Sequence, residues 1–219
     1  MHHKFLFSLL TLAILSYFSS LTASPRMIFH ALLPEAVAQQ SIGNQTTTIK
    51  TNNNSDVKFA TFQSAIYEIK MLYPSNWEKE ENVGSSGSGA DKLIDIVRFS
   101  PPFENSNSDK SAENLDVKVD DISDIKPISV IKYANDTIED LKKDFKILSE
   151  DRNATVGNNN PAYKVEYTGT EQDVNLNAMI IFTIKDDNAY IISYMAEPSR
   201  YSSDLPVVQK MIDSIEIVK

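Results

Sequence analysis

The chain has 219 residues, of which 42% are hydrophobic and 23% are charged, a composition typical of a soluble globular protein with room for one domain. Cysteine is absent, which excludes disulfides, thiol catalysis, thiolate metal sites and a lipidated N-terminal cysteine. The formal net charge of −9 disfavours binding to nucleic acid or to anionic lipid.

The N-terminus has the pattern of a secretory signal, with a basic residue followed by an apolar run over residues 5–18. Small residues favour cleavage after Ala38, and a rival site follows Ala23. A third alternative keeps the segment as an anchor, because residues 5–25 are uncharged and nearly long enough to span a bilayer. We therefore expect residues 1–38 to be a signal peptide or an uncleaved anchor, and the protein to act outside the cytoplasm.

All three histidines, His2, His3 and His30, lie in this first segment. Without it the chain keeps 19 basic and 29 acidic side chains, a net charge of −10. It then has no imidazole and no thiolate, so it lacks the base of a Ser-His-Asp triad and the preferred ligands of zinc. This composition favours a protein that is not an enzyme.

Residues 39–56 form a polar tract of Asn, Thr and Gln, which predicts a disordered linker. It carries the glycosylation sequons of Asn44 and Asn53, and two more begin at Asn135 and Asn153. Such triplets also arise by chance in Asn-rich sequence. On an exported chain the four asparagines are candidate glycosylation sites.

The region 57–219 has the pattern of a folded domain. Apolar residues that alternate with polar ones predict strands at 67–73 and 115–119, and a further strand is expected at 93–99, where Ser100-Pro101-Pro102 ends it. Trp77 follows the first of these after a turn, where a place in the core is favoured over sugar stacking. Residues 84–89 are rich in Gly and Ser and predict a flexible loop.

A change to helical period follows Ser129, which is placed to cap the helix. Its expected apolar face consists of Val130, Ala134, Ile138, Leu141 and Phe145.

Four further strands are expected after this helix, including a hairpin that turns at Asp186-Asp187-Asn188. A last helix carries Leu205, Val208, Met211 and Ile212 inward, and a short strand follows at 215–218. Strands in hairpins with few helices predict an α+β fold, in which helices cover a central antiparallel sheet.

Several short segments of this domain are familiar in their residues and their order. They are Tyr73-Pro74-Ser75-Asn76-Trp77, Phe99-Ser100-Pro101-Pro102, Asn160-Pro161-Ala162-Tyr163, Ala189-Tyr190-Ile191-Ile192-Ser193-Tyr194 and Lys210-Met211-Ile212-Asp213-Ser214. Together they resemble the PsbP-like family over roughly 160 residues. The resemblance implies an α/β/α sandwich, a fold shared with a nuclear-import factor that binds the GTPase Ran. It also implies a non-catalytic, extracytoplasmic accessory or binding domain. The plant namesake attaches to the oxygen-evolving complex and influences its calcium, chloride and manganese.

The remaining candidate chemistry is that of carboxylates. Four close aspartates are weak candidates for a calcium or manganese site: Asp116, Asp120, Asp121 and Asp124. A solvated acidic surface is the favoured interpretation of these residues, and a carboxylate-dependent hydrolase is a further alternative. We expect no cofactor other than calcium, no nucleic acid, and a protein partner in the envelope or on the cell surface. Membrane contact is expected only through an uncleaved N-terminal segment.

Overall fold

The structure is a computed structural model that describes residues 47–50, 56–86, 93–102, 113–125, 127–171 and 174–217. The strands that precede the first helix are β1 (Thr47–Lys50), β2 (Asp56–Ser64), β3 (Ile69–Pro74), β4 (Glu78–Ser86), β5 (Leu93–Ser100) and β6 (Asn114–Asp121). The elements that follow are α1 (Val130–Asp144), β7 (Lys146–Val156), β8 (Asn160–Glu171), β9 (Val174–Lys185), β10 (Asn188–Ala196), α2 (Pro198–Asp213) and β11 (Glu216–Ile217). Neither helix in these residues is long and apolar enough to cross a membrane.

The strands form two sheets in which every pair is antiparallel. The large sheet has seven strands in the order β4-β5-β6-β10-β9-β8-β7, and the small sheet has four in the order β1-β2-β3-β11. The hairpin between β9 and β10 turns at Asp186 and Asp187, where the sequence places it. The predicted α+β class with a mainly antiparallel sheet is confirmed.

Helix α1 forms as its sequence predicts. The Ser129 side chain accepts a hydrogen bond from the Lys132 backbone N–H at 3.2 Å, which caps the first turn. Ala134, Ile138 and Leu141 are buried on one face of the helix. They pack on β8, β9 and β10 and form one of two hydrophobic cores.

The second core lies on the opposite face of the large sheet. There the small sheet and α2 share the cover, with Phe59 and Met71 from the small sheet and Val208 and Met211 from α2. Trp77 is half-buried and packs against this core. The predicted α/β/α sandwich is therefore only partly correct, because α1 covers one face but α2 shares the other face with a second sheet.

Three local expectations are corrected. β1 lies inside the segment 39–56 and pairs with β2, so disorder is wrong for these four residues. Residues 84–86 of the expected loop belong to β4, and residues 87–89 lie outside the described chain. The strand expected from Tyr67 begins at Ile69, because Tyr67 stands in the turn after β2.

The turn between β7 and β8 approaches the end of the last helix closely. Gly157 has φ +54°, and a Cβ atom there would lie 1.6 Å from the carbonyl oxygen of Ile215. Only glycine fits both this conformation and this distance. The turn is thereby held against the link between α2 and β11.

Candidate functional site

The four aspartates proposed as metal ligands do not converge. Asp116 and Asp120 point to the same side of β6, but four residues of strand separate them by about 13 Å, too far for one ion. The Tyr133 hydroxyl donates to Asp120 Oδ2 at 2.8 Å, and Asp121 accepts from the Ser123 backbone N–H at 3.0 Å. No three acidic or histidine side chains in the described chain are placed to hold a metal ion.

Asp116 is instead part of a buried ion pair, which corrects the expected solvated surface at this residue. Arg98 on β5 donates to its two carboxylate oxygens at 2.7 and 3.2 Å, and both residues are less than a tenth exposed. Burial opposes the charged form of Arg98, but the hydrogen bond and charge of Asp116 outweigh it and raise its pKa. Lys118 and Asp95 form a second pair across the same two strands. These residues act structurally, as cross-strand pairs.

A second polar cluster joins the start of β6 to β10 and α2; we call it the Glu113 cluster. The Tyr194 hydroxyl donates to Glu113 Oε1 at 2.9 Å, and Arg200 Nε lies 3.3 Å from Glu113 Oε2. Arg200 Nε is also 3.9 Å from Asp204 Oδ2. The rings of Tyr194 and Tyr201 stack with centroids 5.2 Å apart.

The Glu113 cluster contains a carboxyl whose pKa is strongly shifted. Burial raises the pKa of Glu113 to about 7, and the hydrogen bond and charge of Asp204 add to this effect, while Tyr194 and Arg200 oppose it. Burial, followed by the charge of Glu113, also raises the pKa of Tyr194. Perturbed carboxyls often mark functional sites, but the Glu113 side chain is fully buried and cannot touch a substrate. The cluster can store a proton and hold α2.

No sequence pattern indicated the Glu113 cluster, because Glu113 lies about 80 to 90 positions before its other members. The nearest signal is a glutamate directly before an apolar strand, which is too common to be informative.

Exposed apolar side chains point to a different part of the molecule. Ile66, in the turn between β2 and β3, is 84% exposed, and Ile125, after β6, is 53% exposed. The β2–β3 turn and the segment after β6 both lie at the end of the large sheet where the β9–β10 turn is found. We call this end of the molecule the hairpin end. Tyr190 donates to the backbone oxygen of Tyr67 at 3.0 Å and so fixes the first turn.

The loop of Ile125 is anchored to the same hairpin. The Ile122 backbone N–H donates to the Asp187 carbonyl at 2.8 Å, and the Ile125 N–H donates to Ile122 at 3.1 Å.

The hairpin end is also acidic. Its acidic residues are Glu68, Asp121, Asp124, Asp186 and Asp187. Burial, then the charges of Glu68 and Asp186, raise the pKa of Tyr190 to about 12. The turns and strand ends of the hairpin end therefore hold more acidic than basic residues among those described, Lys185 included.

The sequons fall in different surroundings. Asn135 is exposed on α1, and Asn153 is exposed on β7. Asn44 and Asn53 lie outside the described residues.

Comparison with known proteins agrees with this architecture. The sequence model of the PsbP-like protein family matches residues 32–217. The chain belongs to the PsbP-like family.

Among solved structures, this PsbP-like chain is similar to cyanobacterial PsbP (CyanoP) from Synechocystis sp. PCC 6803. The identity is 14% and the TM-score 0.52, over 77% of this chain and 97% of that chain. At this identity the likeness shows a shared fold only. LpqN of Mycobacterium tuberculosis, described as involved in cell envelope biogenesis, is 10% identical over 81% of this chain and 93% of its own, with a TM-score of 0.47. That likeness is too weak to support a conclusion about function. No curated protein sequence matches the chain.

Proposed function

We propose that this chain is a non-catalytic binding or assembly module that acts outside the cytoplasm and contacts a protein partner through its hairpin end. Membership of the PsbP-like family supports the class of function. The signal-like sequence of residues 1–38 supports the location.

The observation that carries the proposal is the contrast between the polar clusters and Ile66. The Glu113 cluster and the Arg98–Asp116 pair are buried and form contacts within the protein. Ile66 is 84% exposed on a turn that Tyr190 holds in place. An apolar side chain on a rigid support loses little conformational freedom when a partner covers it.

The charge of the hairpin end indicates the kind of partner. Acidic residues predominate in the turns that carry the two isoleucines, so a basic surface with an apolar centre is complementary to this end. Such charges mainly increase the association rate, and salt weakens them. The partner is thus a basic protein region in the envelope or on the cell surface.

The test is a pull-down of the tagged full chain from the envelope fraction of its native host. We expect a retained protein that is lost from the double variant Ile66→Ser, Ile125→Ser. Leu148→Ser is the matched control, because Leu148 is 51% exposed on β7, away from the hairpin end. Retention should also decrease as salt is raised. A partner retained equally by the double variant would contradict the role of the hairpin end, and no retained protein would contradict the binding function.

No contact in the described residues favours the two alternatives, a calcium or manganese accessory protein and a carboxylate-dependent hydrolase. Cation binding is retained as a prediction below.

A further inference from the structure

Two of the four sequons lie in the described chain, and their local structures differ. An N-glycan needs an accessible asparagine amide and a recognisable Ser or Thr hydroxyl two residues later. The folded protein can therefore be compared at both sites, Asn135 with Thr137 and Asn153 with Thr155.

The sequon of Asn135 is closed by the fold. Asn135 is exposed on α1, but Thr137 is only 5% exposed, on the buried face of the helix. The Thr137 hydroxyl is enclosed and has no hydrogen-bond partner among the described residues. An enzyme that must contact this hydroxyl can reach it only before α1 packs on the sheet.

The sequon of Asn153 is open. Residues 152 and 153 together stand opposite Tyr163, because the register shifts between the pairs Asp151–Lys164 and Ala154–Ala162. This is a β-bulge, which leaves an extra residue outside the regular ladder. Asn153 and Thr155 are both exposed, and neither side chain has a hydrogen-bond partner within the described chain.

The bulge also fixes the backbone at this position. The Asp151 side chain accepts from the Asn153 backbone N–H at 2.9 Å, and the guanidinium of Arg152 lies 5.5 Å from the centre of the Tyr163 ring. Arg152 thus occupies the space over Tyr163. A large group on Asn153 displaces no packed side chain.

β7 is one of the two outer strands of the large sheet. The outer backbone of an edge strand can pair with another chain, and proteins blunt such edges with charges and bulges. A bulky hydrophilic group at the bulge is therefore compatible with the fold and keeps other strands away from this edge.

We infer that Asn153 is an N-glycosylation site that remains accessible in the folded protein, whereas Asn135 is not. The donor is an oligosaccharide linked through phosphate to a polyprenyl lipid. The side-chain Nδ2 of Asn153 forms a bond to C1 of the reducing-end sugar. The bond from C1 to the lipid-linked phosphate oxygen breaks, the lipid phosphate leaves, and the amide loses one proton.

The experiment has two arms, both with the full chain. The first maps peptides by mass spectrometry in protein purified from the native host. The second incubates folded, unglycosylated protein with a purified single-subunit oligosaccharyltransferase and a polyprenyl-linked oligosaccharide. In both arms we expect the glycan mass on the peptide that contains Asn153 and none on the peptide that contains Asn135.

Variants define the site further. Asn153→Gln and Thr155→Ala should each abolish the modification of that peptide, and Asn135→Gln should leave it unchanged. Circular dichroism checks that all three variants fold. An unmodified Asn153 in native protein, or occupancy of Asn135 equal to that of Asn153 in the folded-protein arm, would overturn the assignment.

Discussion

Leu141 and Lys142 are neighbours on α1, but their side chains have opposite surroundings. Leu141 is 1% exposed in the core under the helix, while Lys142 forms surface ion pairs with Glu139 and Glu150. We expect Leu141→Ala to lower the free energy of unfolding by about 2–5 kcal/mol, as large-to-small core changes do. Lys142→Ala should cost less than about 1 kcal/mol, because surface ion pairs contribute little. Urea denaturation of both variants checks this, and equal small effects would contradict it.

The ion pair of Arg98 and Asp116 predicts a different result for a single change. Asp116→Asn leaves the Arg98 charge buried without its counter-charge and should cost about 3–5 kcal/mol. The double variant Arg98→Met, Asp116→Leu removes both charges and should be clearly more stable than Asp116→Asn. Chemical denaturation of the two variants makes this comparison. If the double variant is less stable than Asp116→Asn, the ion pair itself stabilises the fold, and an apolar pair cannot replace it.

The sequence predicted the burial of Leu141 but not that of Asp116. The position of Leu141 followed from the helical period and from the Ser129 cap, both of which are local signals. The burial of Asp116 did not follow, because it depends on Arg98 standing opposite it on the next strand. Strand register is set by long-range pairing and cannot be deduced from a single strand.

At the scale of elements, the Glu113 cluster ties α2 to β6 and β10 and makes this contact sensitive to pH. The pKa of Glu113 is about 7 in the folded protein, above its ordinary value of 4.5. The folded state thus binds the proton more tightly than the unfolded state. The resulting stabilisation is complete below pH 4.5 and is lost as the pH rises through about 7.

We therefore expect the free energy of unfolding of the wild type to decrease between pH 4.5 and about 7. Glu113→Gln should reduce this dependence, since a glutamine cannot titrate. Glu139→Gln on the exposed side of α1 is the control and should keep the wild-type profile. Urea denaturation across this pH range measures the effect. If the free energy of unfolding of Glu113→Gln decreases as much as that of the wild type, groups other than Glu113 are responsible.

The sequence did not predict β1, β2 or β4, whereas the four strands between α1 and α2 match the expected number. β4 is an edge strand of the large sheet and consists mostly of exposed, polar residues. A strand without a buried face has no alternating pattern to detect. Central strands such as β5 and β10 are rich in buried apolar residues and were predicted.

For the whole molecule, cation binding is still a prediction. The net charge of −9 attracts calcium, but the four candidate aspartates are dispersed among the described residues, and the sequence has no Asp-x-Asp-x-Asp-Gly loop. We expect calcium to bind the chain from Gln39 onward with about millimolar affinity or more weakly. Zinc should show no tight stoichiometric binding, because this part has no histidine or cysteine. Isothermal calorimetry measures both, and micromolar calcium binding or tight zinc binding would contradict the expectation.

The α+β class followed from the order of the elements, but the second sheet did not. Its strands come from both ends of the described chain, since β11 pairs with β3 about 146 residues away. Neighbouring segments gave no hint of this pairing. The α1 face was predicted because one amphipathic helix is recognisable by itself.

The pairing of β3 with β11 constrains the order in which the protein can fold. Ile217 pairs with Ile69, Lys70 contacts Glu216 at 3.4 Å, and the Ser214 hydroxyl accepts from the Leu72 backbone N–H at 2.8 Å. A growing chain releases β3 long before these partners are synthesised. One edge of the β2–β3 hairpin therefore stays unpaired until β11 has been synthesised. Completion of the small sheet is a late, non-local step. Ribosome-bound chains that stop before residue 214 should consequently remain sensitive to protease at β3, however well the large sheet has formed.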